Sequence, residues 1–315
     1  MVKSKAIDII KSFSEKEKEA FKDFLKSPFF NKKKKIVTLY EIILKNLDTD
    51  MKNSSEKELF SELFNESKFS YSFIRNLMSE LLHLCELFFA ANNMKESFDS
   101  AFYSNMIVLK EYNKRHLDNL FQLKIKKYPQ ILKRNLIDIE YYESLGKIEA
   151  ESIAFDLYRS SMENVPLKVL QRSEYNLCYI AQLLEFDLTD LRVNMSAFNL
   201  NFESELTFEF IKNFDIENYL NKLNETNNPL RNELEIRLRL ILLSVKQADT
   251  KNYFTLKDLI IKNINKFTNS ERSNMFIKLK NYCAARIYNN DLEFYEEKYY
   301  LSKLESEVIK YNTDG

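Results

Sequence analysis

Two glycines in 315 residues set the tightest limit on what this chain can fold into. Average usage would supply roughly 20. Turns that need positive φ, hairpins of the Asn-Gly type and loops that wrap phosphates all draw on glycine. With only four prolines as well, little interrupts helix, and the fold expected is all-α. Walker and dinucleotide-binding loops are excluded, because Gly146 is the only glycine besides the terminal Gly315. Helices are then expected to stop at Pro28, Pro129, Pro166 and Pro229, or at asparagines such as Asn289-Asn290, which tolerate the left-handed conformation.

With 45% hydrophobic residues the chain has enough apolar material for a sizeable core. Its 47 basic and 47 acidic side chains cancel, but not locally. Residues 1–47 carry 12 bases against 6 acids and residues 95–135 carry 9 against 4, whereas residues 136–225 carry 17 acids against 7 bases. Such segments steer partners or attract one another. Cys85, Cys178 and Cys283 are far apart, form no C-x-x-C pair, and each sits in an apolar helical stretch, which points to buried thiols. The N-terminus lacks an uninterrupted apolar run, and no window approaches the ~18 apolar residues of a membrane span. A cytoplasmic location with reduced thiols and no membrane partner is expected.

Four helices are expected in residues 1–94, as an N-terminal bundle. Ser14-x-x-Glu17 is a capping box that opens a helix ending at Ser27-Pro28. Phe29 and Phe30 are expected to fold back as a hydrophobic plug, and Asn31 to cap a second helix striped by Ile36, Tyr40, Ile43 and Leu47. A third helix is expected from Ser55-x-x-Glu58, and a fourth from Ile74 to about Asn92. In residues 95–315 longer helices are expected over 98–115, 117–128, 131–160, 167–196, 216–224, 229–247, 250–267, 270–289 and 291–310. Their short links predict an irregular α-solenoid of antiparallel helix pairs.

Leu206, Phe208 and Phe210 alternate with polar residues, as do Leu234, Ile236, Leu238 and Leu240, which is strand periodicity. The second run also fits one helical face and is longer than most strands, so it reads as helix; residues 199–215 are left open. A 41-residue offset pairs Tyr253 with Phe294 and Leu238 with Leu279, as stacked hairpins would.

Few residues suggest chemistry. Glu80-Leu81-Leu82-His83 has the E-x-x-H spacing of di-iron bundles, but His116, the other histidine, has Asn113 three residues before it, so the ligand set is incomplete. Asp187 with Asp190, and Glu203 with Glu205, are acid pairs of a kind that solvated faces carry by chance. No catalytic residue, metal ligand or cofactor site is assigned. The run Lys32-Lys33-Lys34-Lys35 at a helix start opposes the macrodipole and marks a candidate anion or partner patch.

Phe24-Leu-Lys-Ser-Pro-Phe-Phe-Asn-Lys, Leu77-Met-Ser-Glu-Leu-Leu, Asn252-Tyr-Phe and Asn281-Tyr-Cys-Ala-Ala-Arg-Ile, in that order, give the chain a likeness to a family. It resembles an uncharacterised bacterial all-helical family with a tetratricopeptide-like build. Where that family carries lysine and glycine after the tyrosine-cysteine pair, this chain has Arg286-Ile-Tyr-Asn-Asn, and Asn289 or Asn290 takes the positive-φ position. The resemblance implies the fold and no activity.

The function expected is a non-enzymatic protein-interaction scaffold whose partner is another protein. A nucleic-acid-binding protein using the basic N-terminal surface is one alternative, and a hydrolase with an unrecognised site is another.

Overall fold

The structure, a computed structural model, describes residues 4–47, 61–63, 70–96, 98–133, 136–246 and 248–310. Among them are fourteen α-helices and one 3₁₀ turn, and the sole extended pairing is a parallel bridge between Ile137 and Phe267. No helix among the described residues is long and apolar enough to cross a membrane. The chain divides into two compact units, Met1–Ile107 and Val108–Gly315.

The first unit contains α1 (Lys5–Ser12), α2 (Glu15–Lys26), α3 (Lys34–Leu47) and α4 (Tyr71–Glu96). Helix α1 was not expected; Ala6, Ile7 and Ile10 give it one buried face despite its short length. The capping box forms as the spacing predicts: Glu17 N–H donates to Ser14 Oγ at 3.3 Å, and Ser14 N–H donates to Glu17 Oε2 at 2.8 Å. Helix α2 stops at Lys26, before Pro28. Phe21, Leu25, Tyr40, Leu81, Cys85 and Phe88 meet in the core. The expected plug is only half made. Phe30 stacks on Phe24 at 4.2 Å, whereas Phe29 is 84% exposed. Asn31 is buried outside the helix, where its amide donates to Leu25 O and its Oδ1 accepts from Lys33 N–H. The helix expected from Ser55 lies outside the described residues except at 61–63, which are helical.

Helix α5 (Phe98–Lys114) spans the division, and α6 (Asp118–Lys133) follows. The expected stop at Pro129 does not occur: α6 runs through it, which costs one helical hydrogen bond. Nor does one helix cover 131–160. Ile137 is extended and exchanges backbone hydrogen bonds with Lys266 O and Thr268 N–H, so α7 (Tyr141–Tyr158) begins later. Pro166 starts a helix, since it sits in the first turn of α8 (Val165–Phe198), where its missing N–H removes no bond.

The open stretch 199–215 contains α9 (Leu206–Asn213); α10 (Ile216–Asn224) follows, and Pro229 lies in the turn before α11 (Arg231–Val245). Then come α12 (Thr250–Asn263), the 3₁₀ turn Ile264–Lys266, α13 (Asn269–Tyr288) and α14 (Phe294–Lys310). Asn290, at φ 69°, takes the left-handed position between the last two helices.

Residue pairings give the directions in this second unit. Asp156 meets Lys168, and Tyr142 meets Tyr175, so α7 and α8 run antiparallel. Across this contact a Cβ at Gly146 would lie 2.7 Å from the Asn176 side-chain oxygen, with no α8 backbone atom within 4 Å. Glu174 accepts from Asn228, Glu185 from Arg237, and Arg192 donates to Ser244 O, so α8 and α11 run parallel. Tyr253 packs on Phe294 at 5.7 Å and Lys257 pairs with Glu297 at 2.8 Å, which sets α12 parallel to α14.

Candidate docking cleft

Helix α11 explains the alternation in its sequence. Every residue from Glu233 to Leu243 except Arg239 is buried, so apolar side chains are needed all round it and the helical period is lost. The charged residues between the leucines are consequently buried too, and a buried charge must be paired. Arg237, 3% exposed, donates to Glu185 on α8 at 3.4 Å and to Glu271 on α13 at 2.9 Å. Lys278 of α13 also donates to Glu185, and Thr189 Oγ1 donates to the Glu185 carboxylate at 3.4 Å. Two acids and two cations thus tie α8, α11 and α13 together with no net charge. Nearby, Glu233 Oε1 accepts from Lys266 at 3.4 Å, while Glu233 Oε2 and Gln182 Oε1 are buried without a partner among the described residues. Burial raises the Glu233 carboxyl above the usual carboxylate range, although Lys266 and Arg237 pull it down.

On one side of this network the three helices leave a cleft of about 110 Å³. Val193, Leu240, Leu243 and Ala285 supply apolar wall, and Thr189, Arg192, Ser244, Lys278, Asn281 and Tyr282 supply polar groups. Both cations are engaged: Lys278 with Glu185, and Arg192 with Glu203 at 2.9 Å. Tyr282 stacks on Tyr253 at 4.7 Å and is 5% exposed, and its hydroxyl has no hydrogen-bond partner among the described residues. Burial raises its pKa, and the hydroxyl oxygen is itself shut off from solvent. A recess with an apolar wall and both of its cations already paired suits an apolar side chain.

The residues singled out in the sequence lie elsewhere. Lys33 pairs with Glu80 at 2.5 Å, Lys35 lies 5.5 Å from the Phe73 ring, and Lys33, Lys34 and Lys35 line a separate cleft of about 350 Å³ with Phe73 and Asn76. Lys32 and Lys34 make no ion pair among the described residues. His83 and His116 are exposed, and neither lines a cleft described here. Glu80 is spent on Lys33 and not on His83. Asp187, Asp190, Glu203 and Glu205 are all exposed. Among the described residues no three His, Cys, Asp or Glu side chains gather as metal ligands. All three cysteines are buried, and burial pushes the Cys85 and Cys178 thiols up to about 12.

The cleft went unnoticed in the sequence because its lining comes from three helices almost a hundred residues apart. Its one signal was the alternation of Glu233, Glu235, Arg237 and Arg239 with leucines, which marks a helix buried on all sides. Compared with known proteins, the chain matches no family model, no curated protein and no solved structure.

Proposed function

We propose that the protein is a non-enzymatic interaction scaffold that captures a partner protein by seating one of its side chains between α8, α11 and α13. The observation that carries this reading is the cleft itself: three helices held by buried ion pairs surround a recess whose apolar wall is Val193, Leu240, Leu243 and Ala285. A few well-packed residues dominate most protein interfaces, and a rigid recess of this size holds one such anchor.

The wider architecture belongs to the same proposal. An N-terminal helical bundle would precede an irregular solenoid with a tetratricopeptide-like build, working in the cytoplasm. The parallel contact of α12 with α14 through Tyr253 and Phe294 supports the solenoid, because those residues are 41 apart, as in the sequence offset.

Filling the recess tests the reading. Ala285→Phe should abolish capture of partner proteins from the source cell while the far-ultraviolet dichroism and melting curve stay near wild type. Unchanged capture by a folded Ala285→Phe protein would exclude the cleft.

Phosphate or nucleic-acid binding at Lys32–Lys35 is the second reading, favoured by Lys32 and Lys34, which no carboxylate among the described residues neutralises. Binding of this kind weakens steeply with salt. Retention on phosphocellulose that is lost both at raised salt and in Lys32→Ala/Lys34→Ala would support it; no retention at low salt would remove it.

A further inference from the structure

The turn Pro28–Phe30 between α2 and α3 leaves one aromatic ring standing in water. Phe29 is 84% exposed, although the chain on its far side is held down. Phe30 stacks on Phe24, and the Asn31 side-chain amide donates to Leu25 O near the end of α2 and to Lys33 O just before α3. Phe30 N–H and Asn31 N–H both donate to Ser27 O, which closes the turn. Phe29 meets Phe30 edge-on at 5.0 Å, and Pro28 beside them is exposed as well. The turn is therefore fixed, and its apolar tip is not spent on the core.

Cations surround this tip. Lys26, Lys32 and Lys34 line a cleft of about 620 Å³ together with Pro28, and Lys33, Lys34 and Lys35 line the cleft of about 350 Å³ beside Phe73. Against these five cations stand Asp23, which pairs with Lys26 at 3.6 Å, and Glu80, which pairs with Lys33. Lys32 and Lys34 make no ion pair among the described residues, so the surface is positive and its complement is an anionic one. Single-stranded nucleic acid stacks its bases on a succession of aromatic platforms along a groove. That succession is missing here: Phe24 covers one face of Phe30, and the Lys35 ammonium sits over the Phe73 ring at 5.5 Å. A membrane surface uses a projecting ring and its flanking lysines at once. The ring enters the boundary between headgroups and acyl chains, while the ammonium groups stay among the phosphates.

We infer that the Pro28–Phe30 turn of the first unit docks on an anionic lipid surface, with the Phe29 ring inserted and Lys32 and Lys34 among the headgroup phosphates. The inference rests on the phosphate reading of Lys32–Lys35, whose ligand it names, and is independent of the cleft between α8, α11 and α13. That no helix among the described residues can cross a membrane bears on spanning one, not on resting against one. With one ring and a few lysines the attachment is weak and reversible, and it weakens further as salt screens the charges.

The chain contains no tryptophan, so Phe29→Trp places the sole indole at the tip of the turn. Its fluorescence should shift to the blue when the full chain meets phosphatidylcholine vesicles that carry phosphatidylglycerol, and brominated acyl chains in those vesicles should quench it. Pure phosphatidylcholine should do neither. In co-sedimentation with the anionic vesicles Phe29→Ala should bind about tenfold more weakly than the wild type, and Lys32→Ala/Lys34→Ala roughly thirtyfold. Melting curves should not change, because all three positions are exposed. An unshifted indole, equal binding to neutral vesicles, or Phe29→Ala that binds like the wild type overturns the inference. If phosphocellulose retention dependent on Lys32 and Lys34 accompanies such a result, the phosphate reading survives without lipid; if retention is absent too, both fall. A shift produced by a single-stranded oligonucleotide and not by vesicles overturns the inference in favour of nucleic acid.

Discussion

The Arg237 guanidinium donates to the Glu185 carboxylate at 3.4 Å with both side chains almost wholly buried, and the same guanidinium reaches Glu271 at 2.9 Å. One cation in the most buried helix therefore holds acids from two others. Removing one partner of a buried pair is costly because it strands the other charge away from water. Arg237→Leu strands two, although Lys278 still serves Glu185. The variant should lose about 3–5 kcal/mol in urea unfolding, with the midpoint falling at unchanged slope. A loss under ~1 kcal/mol would mean that water reaches the network.

Glu233 should make stability depend on pH with the sign opposite to the common carboxylate case. Burial raises its folded-state pKa above the unfolded value, so the folded protein prefers the protonated acid. Its contribution is fully present below about pH 4.3, the ordinary glutamate pKa, and is lost as pH rises through the raised folded value. Glu233→Gln keeps the shape without the charge. It should be more stable than the wild-type protein at pH 7, and the difference should close at pH 4. Equal stabilities at both pH values would show that Lys266 neutralises Glu233 fully.

Gly146 sits within α7, where glycine costs about 1 kcal/mol relative to alanine. The obstacle to a methyl group is Asn176 Oδ1 at 2.7 Å, the free end of an exposed side chain. Swinging that amide aside is cheap, so Gly146→Ala should stabilise the protein by about 0.5 kcal/mol, and Gly146→Ala/Asn176→Ala by about 1 kcal/mol. Destabilisation of the double variant in thermal melts would place the obstacle in the backbones of α7 and α8.

Asn290 holds φ 69° and donates its N–H to Ile287 O at 3.0 Å. Asn290→Gly should match or slightly exceed wild-type stability. Asn290→Ala should cost about 1 kcal/mol, because a Cβ without an amide has no compensation in the left-handed region. A tolerant Asn290→Ala would mean that the turn before α14 adapts its shape.

Local rules made much of the fold legible. The Ser14 capping box, the stop before Pro28 and the left-handed turn at Asn290 follow from chemistry within a few residues of each site. Proline was the weakest guide. Pro129 lies inside a helix and Pro166 opens one, because a missing N–H is neutral in a first turn and tolerable elsewhere. Helix α1 escaped notice, its apolar face being three residues long. The cleft was illegible, since Val193, Leu240 and Ala285 meet only through the packing of α8, α11 and α13. Charged residues alternating with leucines in α11 hinted at it, but the same pattern also describes a strand.

Whether a partner enters the cleft can be read most directly by photo-crosslinking. Asn281 lines the recess yet is exposed, so a photoreactive side chain can replace it without disturbing the core. Tyr288, 88% exposed at the end of the same helix, is the control. Irradiation in the source cell should join a discrete protein to the chain labelled at position 281, little or none at position 288, and none at 281 once Ala285→Phe fills the recess. Equal products from both positions, or a product at 281 that survives Ala285→Phe, would contradict a partner held between α8, α11 and α13.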